Sequence, residues 1–356
     1  MTIALCAGGT GGHIYPALAV AQGLPPTKVF FVGSRERLEA ELVQAAGLEF
    51  KGFSIPRGQP WRWPQAVVSL LELFRVRKIS VLVCFGGYVC LPAIMAARLL
   101  DIPFLLHEQN KIMGRLNRLM APWAAGVALS FVQTAHAERM DYTRVVGCPV
   151  RREFLMAAKD AYRILLPSNR SSLVVLGGSQ GAQFLNDWVL HLVKNPPVVQ
   201  AQVFLITGAQ MWQNFLLSVS ATDQKAQTWV GGSNGLRVVA QPYVHNMPAL
   251  LSQCQAFVGR AGASTLAEMA AMGLPGVVVP YPFAMDDHQS ANARAYHEAG
   301  AVQVVSQDGL SAQALWQAVE SVWLNESNRQ KMAAAMGRMA LVKAANDLVD
   351  WVRRLR

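Results

Sequence analysis

The stretch AGGTGGHIYPALAV, residues 7–20, follows a short apolar run and leads into an Ala-rich helical pattern. Its four glycines, at positions 8, 9, 11 and 12, allow positive φ angles and let backbone N–H groups approach a ligand closely. A helix predicted to begin near His13 directs its positive end at the same place. We therefore predict a strand, a glycine-rich turn and a helix that together bind an anion or a sugar.

Two common nucleotide-binding motifs do not fit this turn. No Gly-Lys-Ser/Thr ends it, as a Walker A loop requires, and it does not match GxGxxG. The next apolar run, KVFFVG, continues into Ser34 and Arg35 rather than an acidic residue, which disfavours dinucleotide binding. His13 leaves two interpretations open: it caps the helix, or it serves as a general base near neutral pH.

Short apolar runs alternate with helical patterns along the chain. This alternation predicts two α/β domains, each with a parallel sheet covered on both faces. We place the first domain at 1–154 and the second at 155–340, and we expect the helical segment 341–356 to pack back on the first domain. The runs are TIALCA, KVFFVG, VLVCFGG, PFLLHEQ and TRVVG in the first half, then SLVVLGG, QVFLITG, LRVVAQ, QAFVGR and PGVVVP in the second.

The composition indicates a folded globular protein with a large core. Of its 356 residues, 52% are hydrophobic and 15% are charged. The five cysteines lack the spacing of a disulfide framework or a zinc site, which fits a reducing compartment. No apolar stretch approaches the roughly 20 residues of a membrane-spanning helix, and the first residues do not form a secretory signal pattern. We therefore expect a cytoplasmic protein.

The formal net charge is +10, and most of the excess lies in residues 1–158, which hold 17 Lys or Arg and 10 Asp or Glu. Within this half, residues 61–80 read WRWPQAVVSLLELFRVRKIS and combine apolar side chains with flanking cations. Such a helix suits an anionic lipid headgroup layer, and the alternative is a helix that packs on its own sheet. The side chains concerned are Trp61, Trp63, Leu70, Leu71 and Phe74, with Arg62, Arg75, Arg77 and Lys78.

A second polar cluster occupies GRAGASTLAEMAAMGLPGVVVPYPFAMDDHQSANA, residues 259–293. The residues from Gly262 to Thr265 are predicted to form a turn that opens a helix. The carboxylate of Glu268 suits a ribose diol, or alternatively complements the helix dipole. Gln289 and Asn292, three residues apart, are spaced to face the same cleft, or alternatively are ordinary surface amides.

The chain contains no Asp-x-Asp motif of the kind that holds a divalent cation in many sugar-nucleotide enzymes. Asp286 and Asp287 are adjacent rather than spaced by one residue. We therefore predict chemistry without an obligatory metal ion, and we expect no other cofactor.

Several motifs, in this order, resemble those of the MurG family of bacterial peptidoglycan glycosyltransferases over essentially the whole chain. They are GGTGGH at 8–13, GGY at 86–88, HEQN at 107–110, PVR at 149–151, GGSQGA at 177–182 and the 259–293 block. The resemblance implies the GT-B fold, an α/β architecture in which two Rossmann-like doubly wound domains face each other across a cleft. It also implies an inverting transfer of N-acetylglucosamine from UDP-N-acetylglucosamine to the C4 hydroxyl of N-acetylmuramic acid in lipid I, which gives lipid II with a β-1,4 linkage.

The resemblance assigns roles residue by residue. His13, as the base, and Glu268 would be catalytic. Asn110 and Gln289 would contact the sugar, Val244 would meet uracil through its backbone, and Arg151 would lie near the nucleotide. The full set of implied substrate-binding positions is Thr10, Gly11, Gly12, Asn110, Arg151, Ser179, Val244, Ala263, Ser264, Thr265, Leu266, Ala267, Glu268 and Gln289. The sequence departs from the family pattern at Cys90, Leu91 and Cys148.

The implied partners are UDP-N-acetylglucosamine, lipid I and other cell-wall enzymes. The protein would be peripheral on an anionic membrane surface, at the cytoplasmic face of the bacterial inner membrane. A UDP-sugar epimerase of the non-hydrolysing kind stays open as an alternative, since it shares two such domains and needs no lipid acceptor. A basic nucleic-acid-binding protein is disfavoured, because the second half is almost neutral and its glycine turns suit a small anion; we expect no nucleic-acid partner.

Overall fold

The computed structural model describes residues 2–9, 11–35, 39–53, 63–138, 140, 142–156, 170–178, 181–223 and 225–355. The chain forms two compact units. Unit 1 comprises Met1–Arg152 together with Leu341–Arg356, and unit 2 comprises Glu153–Ala340.

Unit 1 contains a seven-stranded parallel sheet in the order β3-β2-β1-β4-β5-β6-β7. The strands are β1 Thr2–Cys6, β2 Val29–Ser34, β3 Glu49–Phe53, β4 Ile79–Cys84, β5 Phe104–Glu108, β6 Gly126–Leu129 and β7 Thr143–Val145. The helices are α1 Gly11–Ala21, α2 Glu39–Ala45, α3 Trp63–Val76, α4 Cys90–Leu99, α5 Arg115–Met120 and α14 Ala344–Arg354.

Both faces of this sheet are covered by helices. Successive residues of β1 alternate between two apolar clusters: Ala4 and Cys6 pack with α3 and α4, whereas Ile3 and Leu5 pack with α1 and α14. Since side chains of a strand point alternately to opposite faces, the two clusters lie on opposite sides of the sheet. The apolar runs of the sequence are continuous for this reason.

Helix α14 completes the core of unit 1. It packs against α1, and its Trp351 lies so close to Gly126 that a side chain at Gly126 would overlap the indole. The guanidinium of Arg144 lies 4.6 Å from the centroid of the Trp351 ring, in a cation–π contact. Residues near the 341–356 end of the chain are therefore part of the first unit's packing.

Unit 2 contains a second seven-stranded sheet, in the order β10-β11-β9-β8-β12-β13-β14, in which β10 is antiparallel to β11 and the other pairs are parallel. The strands are β8 Ser171–Leu176, β9 Ala201–Ile206, β10 Trp229–Gly231, β11 Leu236–Gln241, β12 Ala256–Gly259, β13 Gly276–Val278 and β14 Val302–Val304. The helices are α6 Arg152–Met156, where the chain passes from unit 1 to unit 2, α7 Gln183–Lys194, α8 Trp212–Ser218, α9 Met247–Leu251, α10 Ala263–Ala271, α11 His288–Glu298, α12 Ala312–Trp323 and α13 Glu326–Met339.

The two predicted α/β sheets are confirmed. All ten apolar runs form strands, and within the described residues four further strands, β3, β6, β10 and β14, were not predicted. Three of these four are edge strands, where one side of the strand has no neighbour and the apolar pattern is weaker.

Candidate active site

Three motif-bearing turns of unit 1 follow neighbouring strands. The turns after β1, β4 and β5 carry GGTGGH, GGY and HEQN, and these strands are adjacent in the sheet. From β1 the chain proceeds outward to β2 and β3, then returns to place β4 on the other side of β1. Open α/β sheets bind ligands at this point of reversal, outside the carboxyl ends of the strands.

His13 lies in the first turn of α1, which begins at Gly11, two residues before the predicted start. Its ring nitrogen Nδ1 lies 2.9 Å from the carbonyl oxygen of Gly8. Because a carbonyl oxygen only accepts, this hydrogen bond requires the proton on Nδ1, and the neutral ring then carries its lone pair on Nε2. The half-buried imidazole is thus oriented as a proton acceptor at Nε2.

The GGY turn packs directly on the glycine-rich turn. Gly86 and Gly87 have φ angles of +103° and +89°, a region that favours glycine. A Cβ at Gly86 would lie 3.1 Å from His13 Nε2, and a Cβ at Gly87 would overlap the carbonyl oxygen of Gly8. Two consecutive glycines are therefore needed for the close approach of these two turns.

The buried carboxylate of Glu108 organises the HEQN motif. Its Oε1 accepts the backbone N–H of Asn110 at 2.9 Å and the Asn110 side-chain amide at 3.2 Å. Its Oε2 accepts the backbone N–H of Gly114 at 2.9 Å and the side-chain amide of Asn117 at 2.8 Å. Four donors on one carboxylate hold Asn110, a predicted sugar contact, in a defined orientation.

His107 precedes Glu108 and is fully buried. Its Nε2 donates to the carbonyl oxygen of Gly147 at 3.0 Å. Burial lowers the pKa of His107 to about 4, so the ring is neutral at pH 7. His107 ties the end of β5 to the segment after β7, a role that the motif alone does not reveal.

Cys90, one of the departures from the family pattern, lies beneath the GGY turn. Its fully buried thiol contacts the carbonyl oxygens of Gly86 at 3.2 Å and Cys6 at 3.4 Å. The thiol thus anchors the first residue of the turn, while the neighbouring Leu91 is half-buried and Cys148 is buried.

The remaining predicted positions of unit 1 have different environments. Gly11 is buried and Gly12 is exposed, both in the first turn of α1. The guanidinium of Arg151 lies 4.3 Å from the centroid of the Tyr15 ring, also on α1. Thr10 lies outside the described residues.

In unit 2 the corresponding reversal point falls between β8 and β12. The turn after β8 includes Gly178 and Gly181, both with positive φ, and Ser179 between them lies outside the described residues. The turn after β12 ends at Gly262, and α10 begins at Ala263. Both turns lead into helices, as in unit 1.

The predicted substrate-binding residues on helix α10 differ in how deeply they are buried. Ala263 and Ser264 are buried in its first turn, and Thr265, Ala267 and Glu268 are half-buried. Leu266 is fully buried and its side chain belongs to the core, so its predicted contact with substrate would come from its backbone. Glu268 lies beyond the first turn, where the helix dipole is weak, so the dipole interpretation does not explain this carboxylate.

Gln289 and Asn292 both form hydrogen bonds with the backbone of Ala261. The Gln289 oxygen Oε1 accepts the backbone N–H groups of Ala261 at 3.2 Å and Tyr281 at 2.9 Å. Asn292 donates to the carbonyl oxygen of Ala261 at 3.1 Å and is fully buried, so the expectation that it faces a cleft is wrong. Gln289 is half-buried, and its N–H groups point away from the two backbone donors.

Two further side chains shape this end of unit 2. Val244 is buried between β11 and α9, which limits it to backbone contacts with a ligand. The buried guanidinium of Arg260 donates to the carbonyl oxygens of Val279 at 3.0 Å and Pro280 at 3.1 Å, and burial lowers its pKa. Arg260 is not among the site residues predicted from the sequence, although a charge directly after a buried strand is a usable signal.

The lipid-facing interpretation of residues 61–80 is wrong for two side chains. Leu70 and Phe74 are 0% and 1% exposed and pack against the sheet of unit 1, as the alternative interpretation states. An amphipathic pattern does not distinguish a sheet from a lipid surface, because both cover an apolar face. Trp61 and Arg62 lie outside the described residues.

The described part of the chain has neither a helix long and apolar enough to cross a membrane nor a group of three or more His, Cys, Asp or Glu side chains arranged to hold a metal ion.

Two doubly wound Rossmann-like units with glycine-rich turns at their reversal points are the architecture of the GT-B fold. Residues 3–129 match the glycosyltransferase family 28 N-terminal domain, and residues 172–348 match the glycosyltransferase family 28 C-terminal domain. The chain therefore belongs to glycosyltransferase family 28.

Individual relatives agree with this assignment. A protein of Desulforudis audaxviator, named UDP-N-acetylglucosamine--N-acetylmuramyl-(pentapeptide) pyrophosphoryl-undecaprenol N-acetylglucosamine transferase, is 35% identical and covers 100% of this chain and 98% of its own length. A protein of the same name from Moorella thermoacetica is 36% identical, with 97% of each chain covered. The crystal structure of MurG from Acinetobacter baumannii is 27% identical with a TM-score of 0.75 and covers 99% of this chain and 100% of its own.

The epimerase alternative has a structural counterpart. UDP-GlcNAc 2-epimerase from Neisseria meningitidis has a TM-score of 0.69, covers 99% of this chain and 100% of its own, and is 13% identical. This likeness is one of fold alone.

Proposed function

We propose that the chain transfers N-acetylglucosamine from UDP-N-acetylglucosamine to the C4 hydroxyl of N-acetylmuramic acid in lipid I and so forms lipid II. Full-length similarity to transferases that are named for this reaction supports the proposal. In this proposal unit 2 binds the sugar nucleotide, and unit 1 supplies the base and the turns for the acceptor.

The observation that carries the proposal is the orientation of His13. The hydrogen bond from Nδ1 to the carbonyl oxygen of Gly8 leaves Nε2 as the acceptor. A base of this kind removes the proton of the acceptor hydroxyl as its oxygen attacks the anomeric carbon. An epimerase instead requires acid–base groups around C2 of the donor sugar and no acceptor.

Unit 2 offers the features that a sugar nucleotide requires. The backbone N–H groups at the start of α10 and the positive end of its dipole suit a diphosphate. Glu268, in the second turn of α10, would accept hydrogen bonds from the ribose hydroxyls. The N–H groups of Gln289 would donate to the N-acetylglucosamine.

The reaction proceeds by a single displacement. The acceptor oxygen forms a bond to the anomeric carbon from the face opposite UDP, and the bond to the diphosphate oxygen breaks, so the configuration inverts to β. The proton passes to His13, and the electron pair of the broken bond leaves with UDP, whose growing negative charge the start of α10 would stabilise. Since the chain has no Asp-x-Asp motif, we expect this step to proceed in the presence of a chelator.

A radiolabel transfer assay from UDP-N-acetylglucosamine to a lipid I analogue tests the proposal. We expect transfer with and without EDTA, and His13→Ala is expected to lose roughly 10²–10⁴-fold in kcat, the usual worth of a general base. Formation of an epimer from the donor alone, with no transfer on addition of acceptor, would instead establish the epimerase. A kcat of His13→Ala within a few-fold of the unaltered enzyme would remove His13 as the base.

We also infer that the protein is peripheral on an anionic membrane surface, through a different set of residues from that predicted. Val68, Met95, Leu99, Leu119 and Trp123 are exposed on α3, α4, α5 and the turn after α5, and Arg98 lies 4.8 Å from the Trp123 ring centroid. Exposed apolar side chains beside cations favour a headgroup layer.

Flotation with anionic and neutral liposomes tests this inference. Trp123→Glu should reduce flotation with anionic liposomes, whereas Val198→Glu, at an exposed apolar position of unit 2, should not. Absence of flotation by the unaltered protein would refute the inference. Association with other cell-wall enzymes stays a prediction, which co-purification would test.

A further inference from the structure

One peptide group in the glycine-rich turn is hydrogen-bonded at both ends to ionisable side chains. The N–H of Gly9 donates to Glu39 Oε1 at 2.8 Å. The carbonyl oxygen of Gly8 accepts from His13 Nδ1 at 2.9 Å. Since the Gly8 carbonyl and the Gly9 N–H belong to the same planar, conjugated peptide group, Glu39 and His13 are joined through a single amide.

The environment of the Glu39 carboxylate is energetically unfavourable. It is 0% exposed, and among the described residues its second oxygen, Oε2, has no hydrogen-bond partner. A buried carboxylate with an unpaired oxygen costs stability, which an amide or an apolar side chain would avoid. The burial therefore calls for a role other than folding.

The position of Glu39 at the start of α2 does not supply that role. An acidic residue in a first turn complements the helix dipole, but Glu41 lies in the same turn and is exposed to solvent. Complementing the dipole requires neither burial nor contact with Gly9. The contact is also close: a Cβ at Gly8 would lie 3.0 Å from Glu39 Oε1.

We propose that Glu39 is a positioning residue that acts on His13 through the Gly8–Gly9 peptide. Its negative charge at the N–H end polarises the amide and makes the Gly8 carbonyl oxygen a stronger acceptor. That oxygen then holds the Nδ1–H form of His13 and stabilises the imidazolium that forms when Nε2 takes the hydroxyl proton. A buried carboxylate has the same effect on the imidazole of a Ser-His-Asp triad, where it binds the ring directly.

This inference rests on the proposed function, in which His13 is the base. The step itself is the displacement described above: the hydroxyl proton moves to Nε2, the new C–O bond forms, and UDP leaves with the electron pair. Glu39 exchanges no proton in this step.

Glu39→Gln tests the inference, with Glu41→Gln as the matched control on the same helix. Glutamine preserves the shape and an oxygen acceptor for Gly9 but removes the charge. We expect kcat to fall about tenfold, less than the 10²–10⁴ that a base itself contributes, with KM for UDP-N-acetylglucosamine within about twofold. Glu41→Gln should leave both parameters unchanged.

A double-mutant cycle separates positioning from support of the fold. In the His13→Ala background, Glu39→Gln should cause no further loss of kcat, because its effect passes through His13. A further tenfold loss in that background, or a loss confined to KM, would overturn the inference.

The tautomer of His13 provides a measurement that does not depend on enzymatic activity. The ¹⁵N chemical shifts of the imidazole, assigned by comparison with His13→Ala, should report Nδ1–H in the unaltered protein and a mixture in Glu39→Gln. Finding Nε2–H in the unaltered protein, or no change in Glu39→Gln, would overturn the inference. Failure of the proposed function would be visible separately, as an absence of transfer by the unaltered protein whatever the tautomer.

Discussion

Gln289 accepts the backbone N–H of Ala261 through its amide oxygen at 3.2 Å, and the same oxygen accepts the N–H of Tyr281 at 2.9 Å. Because two N–H groups donate to the same side-chain atom, that atom must be the amide oxygen of Gln289. The oxygen therefore faces the backbone, and the side-chain N–H groups face away. One side chain thus joins the turn after β12, the turn after β13 and helix α11, and retains donors for a ligand.

Gln289→Glu should separate these two functions. The carboxylate keeps an acceptor for both backbone N–H groups but offers no donor, so we expect KM for UDP-N-acetylglucosamine to rise about tenfold, the worth of a hydrogen bond of about 1.4 kcal/mol, with little change in melting temperature. Steady-state kinetics and thermal unfolding provide the two measurements. A lower melting temperature with an unchanged KM would show that Gln289 only holds the turns.

Glu108→Gln should destabilise unit 1. The amide presents two N–H groups to a site in which four donors meet a carboxylate, so donor faces donor. We expect a loss of about 2–3 kcal/mol in the free energy of unfolding, together with lower activity, measured by urea denaturation and by transfer assay. Glu72→Gln, at an exposed position of α3, is the control and should change neither quantity.

Gly87→Ala should impair catalysis more than its conformational cost alone explains. The added methyl group overlaps the carbonyl oxygen of Gly8, so it displaces the peptide that orients His13. We expect kcat to fall at least tenfold, since small displacements of a base are costly. Gly47→Ala has a positive φ of +69° and open space around it, so it should cost about 1 kcal/mol of stability and leave kcat unchanged. Equal kcat values for the two variants would refute this explanation.

His107 should make the protein less stable in acid. Burial lowers its pKa from 6.5 to about 4, so between these values the unfolded chain binds a proton that the folded chain does not. The free energy of unfolding therefore falls as the pH drops through this window, by about 3 kcal/mol from this group at the lower end. His107→Gln retains a donor for Gly147 and does not titrate. Urea denaturation of both proteins at pH 7, 5.5 and 4 should show a shallower decline in the variant, and parallel declines would contradict the prediction.

Much of the fold was predictable from the sequence, because central parallel strands are buried on both faces and appear as continuous apolar runs. The edge strands β3, β10 and β14 lack that signal. The glycine-rich turns were also correctly predicted to follow strand ends, while their role as a binding site stays a prediction. The burial of Leu70 and Phe74 was not predictable, because an apolar helix face is the same against a sheet or a lipid surface.

The side chains that support the site were harder to find than those proposed to act in it. Glu39 stands in the charged segment RERLEAEL and resembles a surface residue of a helix. Only the folded chain brings it to Gly9, thirty residues earlier. The same holds for His107 and Gly147, which are forty residues apart. Such contacts depend on strand order, which a local pattern does not specify.

The packing of α14 on unit 1 has a consequence for the order in which the protein folds during synthesis. Unit 2 is one uninterrupted segment, whereas unit 1 is assembled from two segments that the whole of unit 2 separates. While a ribosome is still translating residues 153–340, Gly126 and the α1 side of the first sheet have no Trp351 to cover them. The core of the first unit can therefore be completed only after residues 341–356 have been synthesised.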